Sequence, residues 1–312
     1  MNGESHSIEG DRVIAQRSLL SVPASDPEMI EKAFATDTDA VMIDLEDAVA
    51  PNAKVDARNN VVRSLKELDP GQKAVLYRVN ALDTAYFYRD LIEVVEEVGS
   101  VLDAVVIPKV NRPEDVYVVE TLLAQIETAV DLENAQVKIE AQIESAAGLA
   151  NVDAIAGASK RLDALHFGPG DYAASVGMPQ TSIGTRDEWD DCYPGHRFHY
   201  AMHRILVAAR TAGIRALDGP VADYRDQQGL KQSCVVARSL GFDGKWCIHP
   251  AQIPTVNETF TPTRKEEEWA RKTLEAYEEA NAAGSGSISV EGQMIDAASI
   301  RMARRVLESS RR

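Results

Sequence analysis

The sequence is poor in cysteine, short of basic residues and free of long apolar runs, and each scarcity narrows what its 312 residues can be. Three cysteines, Cys192, Cys234 and Cys247, are an odd number without CxxC or Cys/His metal spacing. Neither a disulfide framework nor a zinc site is expected, and reduced thiols in a cytoplasm fit best. The polar stretch from Met1 to Arg12 lacks an apolar signal core, and no run approaches the roughly 20 apolar residues of a bilayer-crossing helix. A cytoplasmic protein is the expectation. Lys and Arg total 33 against 49 Asp and Glu, a net charge of −16. Such a surface repels phosphate backbones and anionic headgroups, which disfavours nucleic acid and membranes as partners. An anionic small substrate stays open, because a few convergent cations or a metal reverse the potential inside one cleft.

What is present is ordinary globular composition: 45% hydrophobic and 26% charged residues, which argues for a folded domain. Length alone allows one large barrel or two domains of roughly 150 residues. The patterning decides. Eight short apolar, β-branched runs recur: Ser18–Pro23, Ala40–Leu45, Ala74–Val79, Ala104–Lys109, Lys138–Ile143, Ala164–Gly168, Ile214–Asp218 and Gly244–Ile248. Each is followed by a longer amphipathic stretch, as in strands alternating with helices. Asp26-Pro27-Glu28 and Arg112-Pro113-Glu114-Asp115 read as helix starts, with Pro and acidic residues in the first turn. Eight βα units predict an α/β fold, a (β/α)₈ TIM barrel over residues 1–260. Met178–His196, polar and rich in Gly, Pro and Thr, predicts a long loop over one barrel face. Residues 261–312 predict a C-terminal helical appendage, a lid segment hinged near 283–289 by a Gly/Ser linker.

Active sites of such barrels are built at the C-terminal ends of the strands. Nearly every run here ends in a polar residue: Asp44, Glu46 and Asp47; Arg78 and Asn80; Lys109; Glu144; Asp171; Asp218; and His249. Taken singly, each reads most simply as a solvated loop residue or helix cap. Their convergence on one rim argues otherwise. Glu144 and Asp171 end neighbouring strands, which in a parallel sheet lie about 4.8 Å apart, so the two can share one ion. Two hard carboxylates completed by water and substrate oxygens suit Mg²⁺, with Mn²⁺ as the alternative. The rival is an acid/base pair without metal. It is disfavoured because so many carboxylates on one rim need a cation.

The stretches RSLLSVPA, DAVMIDLEDAV, VLYRVN, AVVIPKV, IEAQIESAAGL, LHFGPGDYAAS, GFDGKWCIHPAQI and EGQMIDAASIRMA run from Arg17 into the last predicted helix. Together they resemble the citrate lyase β-subunit and malyl-CoA lyase group of the HpcH/HpaI aldolase superfamily. GKWCIHPAQI, EGQMIDAAS and RFHYAMHRILVAAR are more similar to malyl-CoA lyases than to citryl-CoA lyases. The resemblance implies that Glu144 and Asp171 bind Mg²⁺, that Glu46 and Asp47 hold its waters, and that Arg78 contacts the reacting oxygens. It implies that Asp296 lies on an appendage that closes over a neighbouring subunit's site, hence a homo-oligomer, trimer or hexamer.

The implied activity is reversible C–C cleavage of L-malyl-CoA or β-methylmalyl-CoA to glyoxylate and acetyl-CoA or propionyl-CoA, with acyl-CoA and 2-oxo-acid substrates. Arg78 and Asp296 are its expected catalytic residues. CoA is a polyanion, so Arg17 and Lys245 are candidate cations for it, with Trp246, His249 and Pro250 forming surfaces nearby; Trp246 reads equally as barrel packing. His249 has no nearby Ser or Cys nucleophile motif, against a hydrolase triad. The alternatives are a malyl-CoA thioesterase, a citramalyl-CoA or citryl-CoA lyase and, from another class, a non-catalytic barrel subunit.

Overall fold

The computed structural model describes residues 16–134, 136–180, 182–185, 187, 189–192, 196–282, 288–290 and 292–310. Within Gln16–Phe260, which forms one compact unit, eight parallel strands close into a barrel in sequence order. They are β1 (Ser18–Pro23), β2 (Ala40–Asp44), β3 (Ala74–Arg78), β4 (Ala104–Ile107), β5 (Lys138–Ile143), β6 (Leu162–Phe167), β7 (Arg215–Asp218) and β8 (Gly244–Cys247). Closure pairs β8 with β1, setting Lys245 opposite Ser18 and Trp246 opposite Leu19. All eight predicted runs are strands, with ends shifted by up to two residues.

The connections carry helices α1 (Pro27–Phe34), α2 (Lys54–Glu67), α3 (Phe87–Val98), α4 (Pro113–Ala129), α5 (Ala146–Ala150), α6 (Val152–Ala156), α7 (Pro169–Ser175), α8 (His199–Ala212), α9 (Gln227–Leu240) and α10 (Ile253–Phe260). Local chemistry sets their starts. Asp26 caps α1, accepting from the Met29 amide at 3.1 Å, and Pro27 supplies the preset φ of the first turn.

Alternate strand residues divide two environments. Leu20 and Val22, Val41 and Ile43, Val75 and Tyr77, Val105 and Ile107, Ile139, Ala141 and Ile143, and Leu165 and Phe167 join one continuous apolar cluster with the helices. Their neighbours in sequence therefore face into the barrel, because successive side chains on a strand point to opposite sides. Leu19, Met42, Leu76, Val106 and Leu217 line that interior with apolar surface, whereas Ser21, Asp44, Arg78, Gln142 and Trp246 face the open end. The hydrophobic layer between sheet and helices holds the scaffold; the barrel lumen holds the polar groups.

The described residues of the loop predicted over Met178–His196 are tied to the segments that follow it. Ile183 accepts from the Ala222 amide at 2.9 Å. Arg197 reaches the Pro179 carbonyl at 2.7 Å and the carboxylates of Asp187 and Asp190. Asp190–Cys192 form a short 3-10 turn; Tyr193 lies outside the described residues.

From Thr261 onward the chain forms a second compact unit. Helices α11 (Arg264–Ala282) and α12 (Ala297–Ser310) pack on one another. Strands β9 (Ile288–Val290) and β10 (Gln293–Ile295) pair antiparallel between them. The expected linker at 283–287 lies outside the described residues. Residues 288 and 289, which the sequence placed in the hinge, belong to β9. Among the described residues no helix is long and apolar enough to cross a membrane.

Candidate active site

The open end of the barrel holds a cavity of about 790 Å³ lined by Asp44, Asp47, Arg78, Gln142, Glu144, Asp171 and Trp246 on its polar side. Ala173, Met178, Ile183 and Pro220 give it an apolar wall. The groups come together because their strands end at the same level. Asp44 and Arg78 occupy the same register position on β2 and β3, and Asp171 lies in the first turn of α7, directly after β6.

Arg78 is the hub. It is buried, and it donates through Nε to Asp44 Oδ1 at 2.8 Å, through Nη2 to Asp44 Oδ2 at 2.6 Å and through Nη1 to Gln142 Oε1 at 3.3 Å. Its Nη1 also lies 3.0 Å from Glu46 Oε2, and its guanidinium sits 5.4 Å above the Trp246 ring centroid. Burial disfavours its charge, but Asp44, Glu46 and Glu144 more than compensate and hold the guanidinium far above any accessible pH. Burial likewise pushes the Asp44 carboxyl up. Arg78 and the amides of Glu46 and Ala48 outweigh that push and leave it below its ordinary value.

Glu144 is held from two sides. Its Oε1 accepts from the Lys109 amide at 2.7 Å and its Oε2 from Gln142 Nε2 at 2.6 Å. Lys109 reaches that position with a φ of 54°, in the left-handed region that costs a non-glycine residue about 1–3 kcal/mol. The same turn brings its ammonium to Glu46 Oε1 at 2.5 Å and to Asp47 Oδ1 at 3.5 Å. Burial is the main reason the Glu144 carboxyl is raised well above its usual range; Arg78 opposes the rise, and Asp171 and Glu46 add to it. A Cβ at Gly168 would stand 2.4 Å from Glu144 Oε2. Only glycine admits the carboxylate there.

These features suit a divalent cation. Glu144 and Asp171 repel one another in a partly dry site, and a cation between such carboxylates removes the penalty. Glu46 Oε2 is buried and outside hydrogen-bond geometry with any partner, despite its nearness to Arg78. Among the described residues no group of three or more His, Cys, Asp or Glu side chains is arranged to hold a metal. Two carboxylates would leave the other positions of a hard cation to water or substrate oxygens.

A sequence model of the HpcH/HpaI aldolase/citrate lyase family matches residues 17–250. The chain belongs to this family. The L-malyl-CoA/beta-methylmalyl-CoA lyase of Cereibacter sphaeroides is 42% identical over 92% of each chain. The citrate lyase subunit beta of Leuconostoc mesenteroides subsp. cremoris is 35% identical over 94% of this chain and 92% of its own. Among solved structures, the protein CitE of Mycobacterium tuberculosis in complex with magnesium, acetoacetate and coenzyme A superimposes with a TM-score of 0.75. It has 30% identity and covers 96% of this chain and 99% of that one.

Two of the cations expected to meet the CoA phosphates do not fit the geometry. Arg17 precedes β1 and forms a two-pronged pair with Asp39, which precedes β2. Both stand at the N-terminal face, the end of the barrel opposite the cavity, so Arg17 is not a rim cation for CoA. Lys245 is only 1% exposed. Its ammonium donates to Asp218 at 2.5 Å and to the Gly219 carbonyl at 2.7 Å. It neighbours Trp246 in sequence and so points to the opposite side of β8, away from the lumen. Trp246 does line the cavity, from below.

His249 and Pro250 follow β8 at the rim. The His249 ring stacks on Tyr224 with centroids 4.3 Å apart and accepts from the Ala251 amide at 3.1 Å. Asp296 is exposed and caps α12 in the C-terminal unit, accepting from the Ser299 amide at 2.9 Å and its hydroxyl at 3.0 Å. Those bonds hold its carboxyl below the ordinary range.

Two residues contribute more to the site than their places in the sequence suggest. Gln142, which bridges Arg78 and Glu144, was signalled by the alternation Glu140, Gln142, Glu144 in β5. Lys109, noted only as a strand-end residue, holds both Glu144 and Glu46.

Proposed function

We propose that this chain is a Mg²⁺-dependent carbon–carbon lyase that cleaves L-malyl-CoA or β-methylmalyl-CoA to glyoxylate and acetyl-CoA or propionyl-CoA, and runs in reverse as a condensation. The observation that carries this reading is the convergence of Glu144, Asp171 and a buried Arg78 on one cavity, in a chain 42% identical to a lyase of that name. Glu144 and Asp171 would hold the cation, with Mn²⁺ as a substitute, and Glu46 and Asp47 would orient its waters. The cation would supply Lewis-acid polarisation of the carboxylate and hydroxyl oxygens of the substrate.

The remaining work falls to side chains. Cleavage passes the hydroxyl proton to solvent, turns the hydroxyl-bearing carbon into the carbonyl of glyoxylate as its bond to the acyl α-carbon breaks, and leaves that electron pair as an enolate on the thioester. Arg78, fixed by Asp44, presents its charge to the oxygen on which negative charge develops. Asp296 removes a proton from the α-carbon in condensation and, once protonated from solvent, delivers one to it in cleavage. Asp296 acts from the C-terminal unit of a neighbouring copy, in a homo-oligomer of three or six chains. His249 and Pro250 border the path of the CoA arm.

Acetyl-CoA or propionyl-CoA mixed with glyoxylate or pyruvate and Mg²⁺ is the direct test. A product of the summed mass from glyoxylate, and its cleavage on dilution, is the expected result. Condensation only with pyruvate would mark a citramalyl-CoA lyase, and malate released from malyl-CoA without glyoxylate a thioesterase. No condensation with any pair and no turnover of malyl-CoA would leave a non-catalytic barrel subunit.

Gly168→Ala provides a test of the metal site. The new methyl group must displace the Glu144 carboxylate, so Mg²⁺ affinity measured by calorimetry should fall by about 10–100-fold, the range seen when the support of a metal ligand is lost. Unchanged affinity would mean that Glu144 is not held where the cation binds.

A further inference from the structure

Beneath the cavity, the barrel lumen contains a hydrogen-bonded column that the chemistry above does not use. Glu140 on β5 and His166 on β6 are fully buried, and Trp246 on β8 is nearly so. Each occupies an inward-facing position on its strand. Glu140 Oε2 lies 2.6 Å from His166 Nε2, and Trp246 Nε1 donates to His166 Nδ1 at 2.6 Å. The lower end is anchored as well: Glu140 Oε1 accepts from Gln16 Nε2 at 2.9 Å and from Arg215 Nη2 at 3.0 Å. At the upper end the Trp246 ring supports the Arg78 guanidinium.

Hydrogen-bond chemistry assigns the protons along this column. An indole N–H only donates, so His166 Nδ1 must present a lone pair to it. The single ring proton is then on Nε2 and points at Glu140. Both nitrogens are thereby committed, and a flipped ring would set C–H groups against Glu140 and Trp246. The imidazole stands edge-on to the indole, with centroids 5.4 Å apart and planes at 74°, which further restricts the ring. A barrel lumen is ordinarily filled by branched aliphatic side chains. Those would occupy this space without burying an ionised carboxylate, whose desolvation is costly. What the polar column adds over an aliphatic filling is direction.

We propose that His166 is a positioning residue for the lyase reaction: by joining Glu140 to Trp246 it locks the indole that carries Arg78, and so sets where that guanidinium meets the substrate. This rests on the role given to Arg78 under the proposed function. The logic is that of a carboxylate orienting a histidine whose other nitrogen does the work, here with an indole as the oriented group.

Two variants separate positioning from mere support of the fold. His166→Phe keeps an aromatic ring, slightly larger than the imidazole, and removes both hydrogen bonds; Trp246→Phe keeps a ring under Arg78 and removes the donor to His166. Each should lower kcat by about 10–100-fold, the range for lost orienting partners, with the KM for the acyl-CoA changed by no more than about twofold. A role in folding alone would lower the melting temperature and leave kcat intact in the folded fraction. Trp246→Phe retains the full set of Glu140 partners and is the variant to read if His166→Phe does not fold.

A crystal structure of either variant gives a readout independent of turnover: the ring at 246 and the Arg78 guanidinium should both be displaced. Wild-type kcat in a folded variant, or both groups unmoved in its crystal structure, would overturn the proposal. An inactive wild-type protein would instead count against the lyase reading, and the crystallographic result would still decide whether the column positions Arg78.

Discussion

Replacing Glu144 with Gln is expected to lower kcat/KM for malyl-CoA cleavage by about two to three orders of magnitude and to remove the stabilisation that Mg²⁺ confers. The size follows from the several kcal/mol that a Lewis-acidic cation contributes to a developing charge, at about 1.4 kcal/mol per tenfold in rate. Glutamine has nearly the same shape, and its oxygen still accepts from the Lys109 amide, so the backbone around residue 109 has no reason to move. Its amide nitrogen, however, would face the Gln142 Nε2 that now donates to Glu144 at 2.6 Å. That contact loses a hydrogen bond.

Against this loss stands a gain in the metal-free protein. The Glu144 carboxylate is buried beside Asp171 and Glu46, which is why its carboxyl is raised; removing the charge removes that repulsion. Metal-free melting temperatures of the two proteins should therefore be close. The decisive measurement is the melting temperature with and without saturating Mg²⁺, read together with calorimetric titration. An equal Mg²⁺-induced rise in both proteins would place the cation elsewhere.

Asp44→Asn is expected to be the most destabilising single change at the site. Asp44 supplies two hydrogen bonds and the nearest negative charge to a buried guanidinium. Removing one partner of a buried pair costs about 3–5 kcal/mol, because the other charge stays behind without its counterion. Glu46 and Gln142 remain within reach of Arg78, so the lower end, about 3 kcal/mol, is the expected loss. For a domain of this size that is a fall of roughly 6–12 °C in melting temperature.

The pH dependence gives a second signature. The Asp44 carboxyl is depressed in the folded state, so its contribution is complete above the ordinary aspartate value of about 3.9. It is lost as the pH falls below that value through the folded one. Denaturant melts at pH 7 and near pH 3 should show the stability gap between wild type and variant narrowing on the acid side. A gap that is absent at pH 7, or that stays constant down to pH 3, would show that Asp44 is not the counterion that keeps Arg78 in place.

Much of this site was legible in the residues. Asp44 and Arg78 close β2 and β3 and Glu144 follows β5 directly, and residues at a strand's end lie at the mouth of a barrel whichever helices follow. Parity within a strand is equally readable: two consecutive residues cannot both face the lumen, and Trp246 does, which turns Lys245 away from it. Arg17 was a similar case. It precedes its strand, and in a parallel barrel that assigns it to the end away from the active site.

The column under Arg78 is of another kind. Glu140, His166 and Trp246 lie on three strands, and β8 is adjacent to neither β5 nor β6. Nothing in the run ALHFG distinguishes a histidine that meets an indole across the lumen from one that packs against a helix.

By itself, then, the sequence determined the eight-fold alternation, the inward or outward side of each strand residue, and the presence of Glu144 and Asp171 at neighbouring strand ends. All of these follow from local periodicity and chain order. Only the closed barrel decided that Arg78 pairs with Asp44, that Lys109 bends back onto Glu144 and that Trp246 bridges His166 and Arg78. The reason is geometric: contacts across a lumen depend on how the strands tilt and shift as the sheet closes, and that property belongs to all eight strands together.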